Sequence, residues 1–224
     1  YGWLNASRTP QGEKSLPGEK TTPILCVRNS EDGWVDSIPL PSKGTVYDYN
    51  ARALADALAK SGYSEMTTLT KSDQDPAILE LKRAAMKILR ERYGVKLIPN
   101  ESPVGDSASN GLAEGAVRDV KDLARTLRAS VEEMHGVKIP PTHPMMAWIA
   151  RHTGYVINRC MRGRDGRTPY ERRRGRRYKK ALAPIGEKIL YMPGGKRTTS
   201  GHDDKWKDGI FLGIQNRSDE VIVG

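Results

Sequence analysis

Residues 66–78, MTTLTKSDQDPAI, decide the fold of this chain together with residues 110–114, NGLAE. The run from Met66 to Thr70 is hydrophobic and rich in Thr, which predicts a β-strand that ends just before Asp73. Forty residues separate Asp73 from Glu114, which lies in the first turn of a long predicted helix. Carboxylates at a strand end and at a helix start can converge on a hard cation such as Mg²⁺, which prefers oxygen ligands. Two such ions support phosphoryl transfer, so the pair predicts a metal site.

The predicted helix that carries Glu114 has two distinct faces. Its apolar face consists of Ala113, Ala116, Val117, Val120, Leu123, Ala124, Leu127 and Val131. A second stripe, about 120° away at 100° per residue, consists of Glu114, Arg118, Lys121, Arg125 and Arg128. A carboxylate followed by a row of cations suits a substrate with a nucleic-acid backbone. The stripe is equally compatible with a solvated face that holds i,i+4 pairs such as Glu114 with Arg118.

The positive charge of the chain is concentrated in one segment. Residues 151–180 contain twelve Arg or Lys residues against two acidic ones, Asp165 and Glu171, so this segment carries +10, which equals the net charge of the whole chain. Tyr170 and Tyr178 interleave with these cations, a composition typical of proteins that bind a polyanion. The segment lies between folded-looking stretches, which favours nucleic acid over a nuclear-localisation signal or a solubilising tail.

Length and composition limit the class of protein. The chain has 224 residues, enough for one domain of ordinary size and a smaller module. It contains no run of eighteen apolar residues, which predicts no membrane span. The first residues, Tyr1 to Leu4, resemble neither an initiator methionine nor a secretory signal, so we expect a piece of a longer intracellular polypeptide that is not secreted. Cys26 and Cys160 lie outside any C-x-x-C spacing, which predicts buried, reduced thiols.

The order of predicted elements indicates an α/β fold. Strands are predicted at 1–4, 22–27, 33–40, 66–70, 95–99, 187–191, 209–214 and 220–223. Helices are predicted at 47–60, 76–94, 114–136 and 144–161. This order implies a mixed sheet flanked by helices. The last three strands predict a small antiparallel β module that is truncated at Gly224.

The motif around Asp73 and Glu114 extends into a family resemblance. KSDQDPAI at 71–78, SPVGDS at 102–107 and NGLAE at 110–114 resemble the integrase core of retroviruses and LTR retrotransposons. GRTPYE at 166–171 and WKDGIFLGI at 206–214 are similar to stretches that follow that core in retrotransposon polyproteins. The resemblance covers nearly the whole chain and keeps the motif order over about 150 residues.

The resemblance implies a domain organisation and a fold. It implies an integrase catalytic core at 1–162 with a ribonuclease-H-like, mixed five-stranded sheet. A basic linker at 163–180 and an incomplete antiparallel β module at 181–224 follow the core.

The resemblance also implies an activity. It implies a polynucleotidyl transferase that processes the 3′ ends of element DNA, as an endonuclease does, and then transfers those strands into target DNA. The active site would hold two Mg²⁺ or Mn²⁺ ions on two aspartates and a glutamate. Asp73 matches the second aspartate and Glu114 the glutamate. DNA is the implied partner, a homo-oligomer the implied assembly and the nucleus the implied location.

The set of predicted DNA-contacting residues combines the motif neighbours, the helix stripe and the basic segment. It consists of Lys71, Asn110, Arg118, Lys121, Arg125, Arg128, Arg172, Arg173, Arg174, Arg176 and Arg177.

The first aspartate of the family has no match in the chain. In the family it lies on the first strand, which here starts at Tyr1, so we expect an Asp directly before Tyr1 and an inactive chain without it. Asp32 and Asp36 are poor substitutes, because they fall in a turn and on a later strand. Asp75 and Asp106 are expected to cap a helix and a loop. The missing aspartate leaves open a non-catalytic DNA-binding remnant, and a ribonuclease H-type nuclease is a third alternative.

Overall fold

A computed structural model describes residues 2–3, 22–60, 67–101, 110–193, 205–215 and 218–224. The strands are β1 (Gly2–Trp3), β2 (Pro23–Arg28), β3 (Val35–Pro39), β4 (Thr67–Ser72), β5 (Lys96–Glu101), β6 (Lys188–Tyr191), β7 (Lys207–Ile214) and β8 (Val221–Val223). The helices are α1 (Asp48–Lys60), α2 (Pro76–Tyr93), α3 (Gly111–His135), α4 (Met145–Cys160) and α5 (Pro169–Arg174). These bounds lie within a few residues of the predicted ones. Helix α5 is the exception, since it lies in the segment that was predicted to be a linker.

The strands of the core form two separate sheets in the described part of the chain. Strands β1, β2 and β3 form an antiparallel sheet in that order, with Leu25 opposite Ile38. Strands β4 and β5 form a parallel pair, with Ser72 opposite Glu101. The expected single five-stranded sheet is therefore not confirmed. Strand β1 pairs with β2, and the described residues contain no ladder between β1 and β4.

Two hydrophobic clusters cover opposite faces of the β2–β3 ladder. Ile24 and Val35 belong to a cluster with buried residues of α3 and α4, among them Val120 and Ile149. The next residue of β2, Leu25, belongs to a second cluster with buried residues of α1, α2 and β5. Adjacent strand residues point to opposite faces, so the sheet lies between two layers of helices. This arrangement confirms the predicted α/β class with helices flanking the strands.

The helix ends carry local signals that the sequence makes visible. The Asp75 carboxylate accepts from the backbone N–H groups of Ala77 at 2.8 Å and Ile78 at 3.4 Å, which caps α2, and Pro76 opens the helix. The predicted capping role of Asp75 is confirmed. Gly94 ends α2 in the left-handed conformation, at φ 65°, which glycine adopts without steric cost.

Helix α4 crosses β3 at unusually close range. Asn158 accepts from the Val35 N–H and donates to the Val35 carbonyl, each at 2.8 Å. Its side chain thus makes the two hydrogen bonds that the backbone of a neighbouring strand would otherwise make. A Cβ at Gly154 would lie 3.0 Å from the Ser37 nitrogen and 3.2 Å from the Val35 oxygen. The absence of a side chain at Gly154 therefore permits the contact.

The last three strands form an antiparallel sheet in the order β6-β7-β8. Phe211 on β7 is buried and meets the His152 ring of α4 edge-on, at 5.7 Å between ring centroids. The β module therefore packs against the core through α4. None of the described helices combines the length and apolar character needed to cross a membrane.

The two cysteines occupy different environments. Both are free, as predicted. Cys26 on β2 is largely inaccessible, and burial raises the pKa of its thiol to about 11. Cys160 is exposed, so the prediction of a buried thiol is wrong there. It is the last residue of α4, where the helix face turns to solvent.

Candidate metal and nucleic-acid site

Asp73 follows directly after β4, at the carboxyl end of the parallel β4–β5 pair. The predicted strand positions it: β4 ends at Ser72, and Asp75 and Pro76 start α2 three residues later. The Asp73 side chain is exposed. Within the described residues, its carboxylate has no hydrogen-bond or ion-pair partner. It is therefore available as an oxygen ligand.

Glu114 lies in the first turn of α3, as predicted. Its side chain is exposed, and among the described residues it forms no ion pair or hydrogen bond. The i,i+4 pair with Arg118 that would make this stripe an ordinary solvated face is not formed. Carboxylates in the first turn of a helix also lie in the positive field of its N-terminus.

The neighbouring carboxylates have structural roles that distinguish them from Asp73 and Glu114. Asp75 caps α2, and its second oxygen lies 3.9 Å from the Lys43 ammonium. Glu101, the last residue of β5, pairs with Lys82 at 3.2 Å. Over the described ranges, no group of three or more His, Cys, Asp or Glu side chains is close enough to hold a metal ion.

The two suggested substitutes for the first aspartate are also engaged. Asp32 lies in the turn between β2 and β3, where its carboxylate accepts from the Trp34 backbone and from Arg173. Asp36 lies on β3 and accepts from the Trp34 indole at 3.3 Å. Asp106 and the rest of residues 102–109 lie outside the described part of the chain.

The cationic stripe of α3 divides into two parts. Arg118 is exposed and Lys121 half-buried, and neither forms a hydrogen bond or an ion pair with another described residue. Arg125 pairs with Asp122 on the same helix. Arg128 is mostly buried and donates to Glu132 at 2.8 Å. The first half of the stripe is therefore free for a ligand, while the second half is paired within α3.

Arg128 is one of three groups that donate hydrogen bonds to the Glu132 carboxylate. This carboxylate accepts from the backbone N–H of Ile139 at 2.9 Å and from Lys138 at 3.0 Å, in addition to Arg128. These bonds lower the pKa of Glu132 to about 2, led by the one from Ile139. Arg128 thus helps to fix the chain that leaves α3.

The basic segment is folded onto the core through α5. Thr168 and Glu171 form a reciprocal capping box at the helix start. Arg172 donates to the Asp32 carbonyl at 3.0 Å and to the Asp165 carboxylate. Arg173 donates to the Asp32 carboxylate at 2.6 Å. Two of the five arginines that were predicted to contact phosphates are therefore bound to the β2–β3 turn and to Asp165.

The remaining arginines of this segment point away from the core. Arg174 and Arg176 are exposed and have no partner among the described residues. Arg177 is 73% exposed and forms one surface pair with Glu171 at 3.2 Å. Of the five arginines predicted to contact phosphates, the accessible ones therefore lie C-terminal to Arg173, and Arg162, Arg164 and Arg167 of the same segment are exposed as well.

Arg159 lies at the centre of a cage of aromatic rings that sequence reasoning missed. Its guanidinium lies 3.5 Å from the centroid of the Tyr155 ring, and between 5.3 and 5.6 Å from those of Tyr178, Tyr170 and Trp34. Tyr170 and Tyr178 were predicted to interleave with cations on a polyanion-binding surface. They instead surround a buried cation, where they fix α5 and the residues after it on α4.

A cavity of about 790 Å³ lies beside β3, between α1 and α4. Its lining includes Asp36, Arg52, Asp56 and Trp148. Neither Asp73 nor Glu114 lines it, so it is separate from the candidate metal site.

Comparisons with known proteins find similarity at the level of structure. No family model and no curated protein sequence matches the chain. The catalytic core domain of BIV integrase is similar with 18% identity and a TM-score of 0.42, over 66% of this chain and 82% of that one. A chain of the simian T-cell lymphotropic virus intasome, solved with the PP2A regulatory subunit B56 gamma, is similar with 14% identity and a TM-score of 0.44, over 85% of this chain and 67% of that one. At such low identities and TM-scores, the likeness establishes neither a shared family nor an activity.

Proposed function

We propose that this chain belongs to a polynucleotidyl transferase of the integrase type found in retroviruses and LTR retrotransposons. Such an enzyme processes the 3′ ends of an element's DNA and joins them to target DNA. The observation that carries the proposal is the contrast between carboxylates: Asp73 and Glu114 are exposed and unpaired in the described chain, while Asp75 and Glu101 are engaged in capping and ion pairing.

The donor set suits hard divalent cations. Asp73 and Glu114 offer oxygen ligands on a strand end and a helix start, and they would hold Mg²⁺ or Mn²⁺ together with the aspartate expected before Tyr1. When bound, a pair of such ions activates the attacking hydroxyl or water and stabilises the leaving oxygen.

The cations of the chain would position the DNA. Arg118 and Lys121 follow Glu114 along α3, where they would contact phosphates next to the reacting one. Arg174 and Arg176 offer a second group of phosphate contacts on the docked basic segment. Assembly as a homo-oligomer and action in the nucleus, where host DNA lies, belong to the same proposal.

A non-catalytic DNA-binding remnant is the second candidate function. The observation in its favour is that, among the described residues, no three His, Cys, Asp or Glu side chains form a group that could hold a metal ion. Such a protein would bind duplex DNA through the same cations without metal-dependent chemistry.

The test compares end processing and strand transfer on a duplex oligonucleotide, in Mg²⁺ and in Mn²⁺, for the chain with and without an Asp placed before Tyr1. In the extended chain, Asp73→Asn and Glu114→Gln should each abolish both reactions and leave DNA binding nearly intact, because each change removes a charge that neutralises the metal. Glu133→Gln is the matched control, since Glu133 is an exposed residue of the same helix.

Each outcome selects one function. Loss of activity in both site variants, but not in the control, supports the transferase. Duplex binding without activity in any version of the chain supports the remnant. Cleavage of RNA–DNA hybrid without strand transfer supports a ribonuclease H-type nuclease. Strand transfer by Asp73→Asn or Glu114→Gln within tenfold of the parent would show that these residues are not the ligands.

A further inference from the structure

A buried lysine joins the carboxyl ends of β4 and β5. Lys82 lies on α2, and its side chain is 7% exposed. Its ammonium donates to the Thr70 carbonyl at 3.4 Å, to the Ser72 hydroxyl at 3.1 Å and to the Glu101 carboxylate at 3.2 Å. An ammonium has three N–H donors, and here each meets an acceptor near the end of a strand.

The contacts of Lys82 lead to Asp73. The Ser72 hydroxyl, which accepts from Lys82, donates in turn to the Asp73 carbonyl at 3.0 Å. Ser72 and Glu101 are directly paired in the ladder, so the ammonium spans the last rung of the parallel pair. Asp73 follows directly after this last pair of the ladder. The hydrogen bonds of Lys82 to Thr70 and Ser72 therefore fix the main chain that positions Asp73.

A charged residue is a costly choice at this position. Lys82 lies next to Leu81, about one turn before Ala85 and about two turns before Leu89, and these three residues are fully buried. Taking an ammonium out of water is unfavourable unless a partner compensates its charge, and an apolar side chain would avoid that cost. The ion pair with Glu101 compensates the charge of the Lys82 ammonium. The other two N–H donors of the ammonium bind the end of β4.

We propose that Lys82 is a positioning residue of the candidate metal site. It holds the end of β4 so that the Asp73 carboxylate is ready to bind a divalent cation, and Glu101 neutralises its charge so that the cation is not repelled. The inference rests on the proposed function, because it assumes that Asp73 is a ligand. Lys82 itself acts through Ser72 and the main chain and does not touch the cation.

The test measures binding of Mn²⁺ alone to the chain extended by an Asp before Tyr1, which serves as the parent, from the electron paramagnetic resonance signal of free Mn²⁺. The double variant Lys82→Met, Glu101→Gln removes both charges and leaves the net charge unchanged, so it separates positioning from simple electrostatics. Its Mn²⁺ affinity should fall by about tenfold or more, the usual effect of removing a group that orients a ligand. Lys87→Met, an exposed change on the same helix, should stay within about twofold of the parent.

A second variant tests the same role in case the double variant does not fold. Ser72→Ala keeps every charge and removes the hydroxyl that links Lys82 to Asp73, and it should weaken Mn²⁺ binding by about threefold or more. Circular dichroism and a thermal melt establish that each variant is folded at the temperature of the titration. Where the double variant is unfolded, Ser72→Ala decides.

The outcomes distinguish the positioning role of Lys82 from the existence of the metal site at Asp73. Weaker Mn²⁺ binding in a folded positioning variant, with loss of binding in Asp73→Asn, supports the role of Lys82. Parent-like affinity in the folded positioning variants, with loss in Asp73→Asn, overturns that role and leaves the metal site standing. No Mn²⁺ binding by the parent, or parent-like binding by Asp73→Asn, overturns the metal site and the role of Lys82 with it.

Discussion

The contact between the β module and the core should depend on pH through His152. This residue is 4% exposed, stacks on Tyr155 and meets Phe211 edge-on. Its Nδ1 is buried without a hydrogen-bond partner. Burial, with a smaller contribution from the Arg159 charge, lowers the pKa of His152 from 6.5 to about 4. The folded chain therefore holds a neutral imidazole over a range in which the unfolded chain protonates it.

The sign and size of the effect follow from this pKa difference. Between pH 6.5 and about 4 the unfolded state binds more protons at His152, so the free energy of unfolding falls as the pH falls. A difference of about 2.5 pH units, at about 1.4 kcal/mol per unit, gives a loss of roughly 3.5 kcal/mol at most. Below about pH 4 both states are protonated, and this contribution is constant.

The assay is urea unfolding between pH 7 and pH 4, followed by circular dichroism, for the parent and His152→Phe. The phenyl ring keeps the aromatic contacts and does not titrate, so the variant should lose most of the pH dependence that the parent shows between pH 6.5 and 4. Changes at exposed carboxylates are common to both proteins and cancel in the comparison. A variant at residue 152 whose pH dependence matches that of the parent would refute the reasoning.

Two further predictions concern charge and packing. Replacing Arg174 and Arg176 with Gln should flatten the log–log salt dependence of duplex binding by up to about two units, because each phosphate contact contributes roughly 0.9; an unchanged slope would place the DNA path elsewhere. Replacing Arg172 and Arg173 with Gln should instead lower the free energy of unfolding by on the order of 2 kcal/mol, measured by urea denaturation, because their bonds to the β2–β3 turn are lost. Gly154→Ala should destabilise the fold by about 1–3 kcal/mol in the same assay, because its methyl group would overlap the β3 backbone.

The matched control for the packing variant is Gly111→Ala. A Cβ at Gly111 meets no atom within 4 Å, and its φ is not in the left-handed region. This variant should therefore unfold at the same urea concentration as the parent or higher, since alanine favours helix over glycine. Equal destabilisation by both changes would contradict the assignment of the loss at Gly154 to a clash with the β3 backbone.

Apart from α5, the sequence by itself determined the elements and their ends to within a few residues, because the signals are local. Asp75 and Pro76 mark the start of α2, Gly94 marks its end, and Gly136 ends α3 in the same left-handed conformation. These residues act on backbone groups within a few positions, so a short window of sequence contains all the information. The positions of Asp73 and Glu114, at a strand end and in a first helical turn, followed from the same local patterns.

Only the tertiary structure decided which charges are free. Arg173 and Arg174 are adjacent and chemically identical, yet one bonds to Asp32, 141 residues earlier in the chain, while the other faces solvent. The difference arises because α5 rotates successive side chains by about 100°, and only one of them faces the β2–β3 turn. No local pattern marks such a pair, and the same is true of Lys82, whose acceptors lie on two strands that meet only in the folded chain. The sequence therefore shows which charged groups the chain contains, and packing over long sequence separations decides which of them pair within the fold and which remain exposed.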